Sequence, residues 1–369
     1  MSVRARPLRW AVVGLGYIAQ AAVLPAFKNA RRSARLTALV SGDPEKLRTL
    51  AAQYEVPHVH SYGDFARCLG EVDAVYIALP NHLHRDFAVA AAEAGVHVLC
   101  EKPLAVTETD CEAMIAAAER HGVLLMTAYR LHFERANLRA AEMVRNGEIG
   151  DPRFFSASFS QQVRPGNIRL LPEELGGGPL YDIGIYCINA ARTLFGSEPG
   201  AVSAFKANNG EERFAGTHET MTCQLSFPGQ RLAVFVCGAG ASETGWCQIV
   251  GQSGDIRLEP AFAFSEGLKL VATRDGRKET TSYPKRDQFA PELRYFADCV
   301  RRGEAPEPSG REGLADVRVI RALLDAADSG RSVDLPPFTR RRRADLSQES
   351  RSPAIDMPEL VHAQEPSPE

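Results

Sequence analysis

Three short stretches hold side chains whose types and spacing could do chemistry. The first, Gly14-Leu15-Gly16-Tyr17-Ile18-Ala19, fits G-x-G-x-x-A and lies between a short apolar run and a helical pattern. There the first glycine permits a tight turn, the second lets the backbone approach a pyrophosphate, and the small third position lets helix pack on strand. The helix start then offers free N–H groups and a positive dipole end to the phosphates. The second stretch is Glu101-Lys102-Pro103, just beyond the apolar run Val96–Cys100. Pro103 fixes the turn there, through a cis bond in one reading. The third runs from Gly176-Gly177-Gly178 to Tyr186. Asp182 and Tyr186 lie one turn apart on a helix face distinct from the Leu180, Ile183 and Cys187 stripe. A carboxylate and a phenol beside a glycine loop suit acid–base work. Tyrosine is a poor base at its free pKa of about 10, and a cation such as Lys102 would lower it. A lowering of about two units takes roughly 2.7 kcal/mol of differential stabilisation. Plainer roles stay open: Lys102 as a surface lysine, Tyr186 as a space-filling ring.

These groups need elements to hold them, and 369 residues suffice for about two domains at roughly 150 residues each. In the first half, the apolar runs Trp10–Val13, Leu36–Val40, Ala74–Leu79, Val96–Cys100 and Val123–Thr127 read as buried strands. Helical patterns separate them: Ile18–Phe27, bent or ended by Pro25, then Asp43–Tyr54, His84–Ala94 and Thr107–His121. Strand and helix in alternation predict βαβ units and a doubly wound parallel sheet. Ligands of such sheets bind beyond the carboxyl ends of strands, which is where Lys102 falls. Asn81, His82 and His84 fall at the equivalent place after Ala74–Leu79, with a capping or packing role the alternative for His84. The second strand ends in Ser41-Gly42, where an NAD site would usually carry Asp or Glu. The missing acid, with Lys46 a helical turn away, favours NADP, whose 2′-phosphate a carboxylate would repel; NAD is the alternative. Lys46 could equally be a surface residue of its helix.

Beyond Gly150-Asp151-Pro152 the texture changes to polar–apolar alternation over Arg153–Gln162, Ala201–Lys206, Thr220–Phe227, Arg231–Val236 and Cys247–Val250. These predict antiparallel strands with one buried face. Helices are expected over Leu180–Leu194, Pro291–Arg301 and Arg311–Asp328. The expected fold is α/β: an N-terminal Rossmann domain over 1–128, an α+β domain with a large open, mainly antiparallel sheet over 129–338, and a disordered tail over 339–369. Removing the tail after Pro337 is expected to leave fold and activity intact. Its four-arginine run, Arg340–Arg343, reads as a solvated charge run, or as a contact for an acidic partner or a phosphate.

The formal charge of −3, from 43 Lys+Arg against 46 Asp+Glu, argues against nucleic acid. No run approaches the roughly 18 apolar residues of a membrane span, and Met1–Arg9 does not lead into a signal peptide. Eight cysteines without a C-x-x-C pair read as reduced, buried side chains in a reducing, cytoplasmic setting, with no metal site.

Taken in order, Gly14–Ala19, Glu101–Pro103 and Gly177–Tyr186 resemble the motifs of the family of glucose–fructose oxidoreductase, inositol dehydrogenase and the MocA proteins, over about residues 8–335. Most of that family has His where this chain has Tyr186, and the tyrosine is similar to the glucose–fructose oxidoreductase branch. So are Ala38–Gly42, Leu79-Pro80-Asn81, Cys100–Pro103, Tyr129-Arg130 with His132, and Asn189. The resemblance implies that Lys102, Asp182 and Tyr186 form the catalytic group and that Ser41 and Lys46 hold an NADP 2′-phosphate. Candidate cofactor contacts are then Gly14, Gly16, Tyr17, Ile18, Ser41, Lys46, Leu79, Asn81, His84, Glu101, Lys102, Arg130 and Arg169, the two arginines lying near cofactor or sugar. It also implies a homodimer or homotetramer through the second domain's open sheet. Glucose–fructose oxidoreductase wraps its cofactor with a proline-rich arm before the first strand, whereas here about eight residues precede it. The expected activity is therefore that of an NADP-dependent oxidoreductase with exchangeable cofactor, oxidising the C1 hydroxyl of an aldose to a lactone or running in reverse. A two-sugar transhydrogenase with retained NADP and a non-catalytic NADP-binding sensor are the alternatives.

Overall fold

Buried apolar runs separated by amphipathic helices leave the backbone one economical arrangement, a parallel sheet covered on both faces. The computed structural model describes residues 6–340 and 342–367. Its strands in the first half are β1 (Leu8–Val13), β2 (Ala34–Val40), β3 (His58–His60), β4 (Ala74–Ile77), β5 (His97–Glu101) and β6 (Leu125–Ala128). The helices there are α1 (Leu24–Ala30), α2 (Pro44–Gln53), α3 (Phe65–Leu69), α4 (His84–Glu93) and α5 (Glu108–His121). Next come α6 (Arg135–Arg145), β7 (Pro152–Gln162), α7 (Ile185–Phe195), β8 (Ala201–Ala207), β9 (Thr220–Phe227), β10 (Arg231–Gly238) and β11 (Gly240–Gly251). The chain closes with β12 (Gly254–Leu258), β13 (Leu268–Arg274), β14 (Arg277–Tyr283), α8 (Phe289–Arg302), α9 (Gly310–Ser329) and β15 (Val333–Asp334).

The chain divides into two compact units. Among the described residues, the first comprises those from 6 to 130, 286–313 and 350–365; the second comprises those of 131–285, 314–349 and 366–367. The first unit thus takes back two later pieces that the sequence does not assign to it. The return of α8 has a packing reason: Trp10, fully buried on β1, meets Phe296 at a ring separation of 5.7 Å and Phe27 at 6.3 Å.

The first unit's sheet has the order β3-β2-β1-β4-β5-β6, and its pairs are parallel. All six strands therefore end at one edge, and the order reverses between β1 and β4, where such folds place ligands. Pro25 neither breaks nor ends the helix after β1. A wide turn, Ala19–Val23, bonds the Leu24 N–H to the Ala19 carbonyl, and Pro25 falls in the first turn of α1, where its missing N–H is not needed. Asp43 caps α2, accepting from the N–H groups of Glu45 and Lys46, and Thr107 caps α5, accepting from that of Asp110.

The second unit's sheet has the order β14-β13-β12-β11-β7-β10-β9-β8-β15. It is antiparallel except for the pair β7–β10. Along β10, Ala233, Phe235 and Cys237 are buried while Leu232, Val234 and Val236 are exposed, which is the alternation that an open sheet requires. A second wide turn, Leu180–Gly184, precedes α7 where the sequence alone reads one uninterrupted helix.

The stretch read as a disordered tail is laid down in order. Arg340, whose side chain is 3% exposed, and Arg343 lie 3.7 and 3.6 Å from Glu198, and Arg343 also donates to the Arg192 carbonyl. Arg341 lies outside the described residues, as do residues 1–5. Asp345 caps a short turn, Leu346–Gln348, and residues 350–365 then run along the first unit. An extended segment held through its own peptide groups carries no apolar period, so composition alone reads it as disordered. The eight cysteines are free and buried. Among the described residues, no helix is long and apolar enough to cross a membrane.

Candidate active site

At the carboxyl edge of the first unit, the turn after β1 is fitted too closely for any side chain at Gly14. A Cβ there would lie 2.4 Å from the Ala78 carbonyl oxygen, and the residue's φ is +92°. Leu79 packs against the same point. A Cβ on Gly16, by contrast, would meet nothing within 4 Å, so this peptide faces outward at the start of the helix. Gln20 N–H donates to the Gly16 carbonyl and begins that helix. Tyr17 and Ile18, half-buried, complete the turn. A narrow turn, an open glycine face and a helix N-terminus fit the pyrophosphate of a dinucleotide.

The end of β2 is Ser41, whose hydroxyl accepts from the Asp43 N–H at 3.1 Å. The next carboxylate, Asp43, is turned into the start of α2 and accepts from the N–H groups of Glu45 and Lys46. The His362 imidazole, with those N–H groups, holds Asp43 below the usual carboxylate range. The position that would bind ribose hydroxyls is therefore a small hydroxyl, with half-buried Lys46 in the first turn beyond it.

After β4, Asn81 opens a short turn, Asn81–Leu83. His84 behind it does not reach the edge. It is fully buried, with Nε2 2.9 Å from the Leu79 carbonyl and Nδ1 3.0 Å from that of Pro103. It staples the loops after β4 and β5 together, the packing role, and its expected place as a cofactor contact is withdrawn. Burial pushes its pKa below the ordinary imidazole value, although the carbonyls around it favour the proton. Glu101 also turns inward. Its carboxylate accepts from the Tyr76 hydroxyl at 2.8 Å and from the Lys102 N–H at 3.2 Å, so it fixes the backbone from which half-buried Lys102 projects. The Lys102–Pro103 bond is cis. Arg130, 5% exposed, donates to Gln288. It faces Glu101 and Glu292, both raised in pKa by burial and both pulled back by the arginine's charge. Glu101 and Arg130 thus form a layer beneath the edge rather than a surface on it.

In the second unit, Gly177 and Gly178 let the loop pass where a side chain could not. A Cβ on Gly177 would fall 1.7 Å from the Leu171 carbonyl oxygen. The wide turn that follows presents half-buried Asp182, whose Oδ2 accepts from Arg169 Nε at 2.7 Å and Gln161 Nε2 at 2.9 Å. Arg169 is therefore an anchor of Asp182. Tyr186 begins α7 one turn on, its ring 5.7 Å from that of Phe159 and 5.9 Å from that of Phe262. Asn189 and His132 belong to a buried structural chain: His132 Nε2 and the Asn189 side-chain oxygen are 2.9 Å apart, and Asn189 donates to Asp316, which also pairs with Arg192. Gln161, Gln20, Tyr76 and Glu292 were not singled out from sequence. Gln20 had a visible signal, a lone amide within the otherwise apolar Ala19–Val23. Among the described residues no cluster of three side chains could hold a metal ion.

A model described as an oxidoreductase family with an NAD-binding Rossmann fold matches residues 8–129, and a model of the GFO/IDH/MocA C-terminal domain matches residues 137–257. The D-xylose 1-dehydrogenase (NADP+) of Haloarcula marismortui is 33% identical over 337 residues, 89% of this chain and 93% of that one. The crystal structure of an aldose–aldose oxidoreductase from Caulobacter crescentus, complexed with glycerol, is 39% identical and superposes with a TM-score of 0.85, covering 89% of this chain and 100% of that one. A 3-ketoreductase from Actinomadura kijaniata, crystallised with NADP and TDP-benzene, is 29% identical with a TM-score of 0.79, over 87% and 98% of the two chains.

Proposed function

The chain belongs to the GFO/IDH/MocA family of oxidoreductases, and from that premise we propose that it is an NADP-dependent enzyme transferring hydride between the C1 position of an aldose and the nicotinamide. The observation that carries this reading is the half-buried Asp182 carboxylate, gripped by Arg169 and Gln161 one turn before Tyr186. Such a fixed acceptor suits a polyhydroxylated substrate. The relatives named for sugars, xylose and aldoses among them, support the substrate class. Ser41 at the end of β2, with Asp43 turned into a helix cap, supports NADP over NAD.

Bound NADP supplies the hydride acceptor, and the chain supplies position and charge. Gly14 to Ile18 and Ser41 with Lys46 would hold its phosphates, and the open face at Gly16 would admit the pyrophosphate. Tyr186 takes the proton from the sugar's C1 hydroxyl, and Lys102 is assigned to the same proton transfer. Asp182, fixed by Arg169, orients the sugar. Oxidation leaves a lactone; in reverse, Tyr186 returns the proton to a carbonyl oxygen. We further propose that copies of the chain associate through the exposed face of the second unit's sheet. A panel of aldoses and polyols, assayed with NADP and with NAD before and after cofactor stripping, tests the reading. Nicotinamide absorbance that stays flat across the panel, with no cofactor retained on the protein after desalting, would revive the sensor reading. A second reading, hydride exchange between two sugars on NADP that never leaves, is favoured by the course of residues 353–365, which reach the dinucleotide edge.

A further inference from the structure

The segment 350–365 is tied at the two places where the first unit recognises a dinucleotide. Gln20, 1% exposed, stands on the helical turn after the glycine motif. Its Nε2 donates both to the Leu15 carbonyl at 2.8 Å and to the Val361 carbonyl at 2.9 Å, while its Oε1 accepts the Val361 N–H at 2.8 Å. One buried amide thus binds the whole Val361 residue as a strand neighbour would, and holds the glycine turn between Gly14 and Gly16 with the same nitrogen. The Tyr17 hydroxyl, in that turn, donates to Glu365 at 3.1 Å. His362 adopts a left-handed backbone, φ 45°, which faces its ring to the opposite anchor from Val361. His362 Nδ1 lies 2.8 Å from Asp43 Oδ2, at the end of β2 beside Ser41. Earlier in the segment, Asn29 donates to the Pro353 carbonyl and Arg294 to the Ser350 hydroxyl.

A strap needed only for stability could cross the first unit anywhere. This one meets the turn built for the pyrophosphate and the strand end that selects the 2′-substituent, and it meets them through side chains of those very motifs. We propose that residues 353–365 are part of the NADP site. They close its outer rim, His362 adds a donor beside Ser41 and Lys46 for the 2′-phosphate, and the cofactor leaves only when the strap lifts. This rests on the NADP reading above. It runs against the exchangeable cofactor expected from the sequence and gives the two-sugar reading its physical means, since a cofactor that stays must be reoxidised by a second substrate in place.

The experiment compares the full chain, a chain ending at Ser352, and the point variants Val361→Pro and His362→Ala. NADPH release is followed by fluorescence on chasing with excess NADP+, and retained cofactor is measured in the supernatant after desalting and denaturation. The truncated chain should release NADPH at least about tenfold faster, since affinity changes of this kind act mainly through dissociation. Val361→Pro, which deletes the N–H held by Gln20, should speed release as well. His362→Ala should weaken NADP about threefold or more and leave NAD unchanged, the mark of a contact to the 2′-phosphate. Release rates within about twofold of the full chain in all variants, with melting confirming that they fold, would overturn the proposal. Tighter binding after truncation would also overturn it, showing a plug rather than a clasp. If the truncated chain does not fold, the point variants decide. A full chain with no affinity for NADP refutes the cofactor reading itself, a distinct result.

Discussion

At the scale of single residues, Tyr186 and Glu292 call for different tests. Tyr186 is read as a proton acceptor, and Tyr186→Phe keeps its ring against Phe159 and Phe262 while deleting the hydroxyl. Turnover should fall by about 10²–10⁴, the usual worth of a positioned acid–base group. NADP affinity, measured separately by titration, should hold. Lys102→Met should be as damaging, and the double variant should be no worse than either, because both act on one proton transfer. A Phe variant that keeps most of its turnover would reduce Tyr186 to a packing residue. Glu292 tests the layer below. It is fully buried on α8, and neither of its oxygens has a hydrogen-bond partner among the described residues. Burial raises its pKa well above the ordinary 4.5. Below that value the carboxyl is protonated in the folded and unfolded chains alike. Above it, only the unfolded chain ionises, so this group subtracts stability progressively as pH rises. Glu292→Gln should therefore melt higher than the parent near pH 8 and converge with it near about pH 4, a kcal/mol moving the midpoint of a unit of about 150–250 residues by roughly 2–4 °C. A difference that does not change with pH would mean that the carboxyl is charged in the fold.

Among the elements, those with a strong period were legible and those without one were not. The strands β9 and β10 alternate residue by residue, and sequence alone places β9 at Thr220–Phe227, the bounds found. The helix start at Asp43-Pro44 was equally plain, because a cap and a first-turn proline leave little choice. The edge strand β14, Arg277–Tyr283, has no apolar face and gives no signal, and α6, although its Ala and Leu face is buried, is capped by Glu134, with no Ser, Thr, Asp or Asn there to mark it. The proposed site follows the same division. Lys102, Asp182 and Tyr186 sit on strand ends and helix starts that motifs mark, whereas Gln161 and Gln20 act through contacts far along the chain. The contacts made by Arg340, Arg343 and Val361 have a consequence for stability. Arg340 and Arg343 pack on Glu198, and the peptide of Val361 satisfies buried Gln20. Ending the chain at Pro337 removes two arginine charges beside Glu198, which keeps Arg192, and removes both hydrogen bonds between the Val361 peptide and the Gln20 amide, a loss of about 1–3 kcal/mol for the two bonds together. Thermal melting without cofactor should drop by several degrees, the reverse of the neutral truncation that composition suggests. An unchanged midpoint would return these residues to the status of a loose end.

For the molecule as a whole, the open question is what covers the outer face of the nine-stranded sheet. Period two puts alternate residues of each strand on that face, and strand register decides which of them become neighbours. Leu232 on β10 pairs with Phe154 on β7, and Val236 on the same strand pairs with Thr222 of β9, which in turn pairs with Phe205 of β8. Phe205 is 78% exposed, Leu232 59% and Phe154 47%, with Val234 and Val236 also open to solvent between them. Single exposed apolar residues are ordinary, but a set aligned across adjacent strands is a contiguous surface of the kind that marks an interface. The proposed occupant is a second copy of the chain. A flat sheet face meets its like with twofold symmetry and no change of shape, and a stable pair needs about 800 Å² from each partner. A charge in the middle of such a contact faces itself across the axis and stays unsolvated. Val234→Lys should therefore convert an oligomer to a monomer at about 10 µM, seen by sedimentation velocity, while changing the chain's circular dichroism little, because residue 234 is exposed within each copy. The parent's melting point should rise with protein concentration and the variant's should not. A parent that sediments as a monomer at that concentration would remove the second copy as the occupant and leave the face to a different partner.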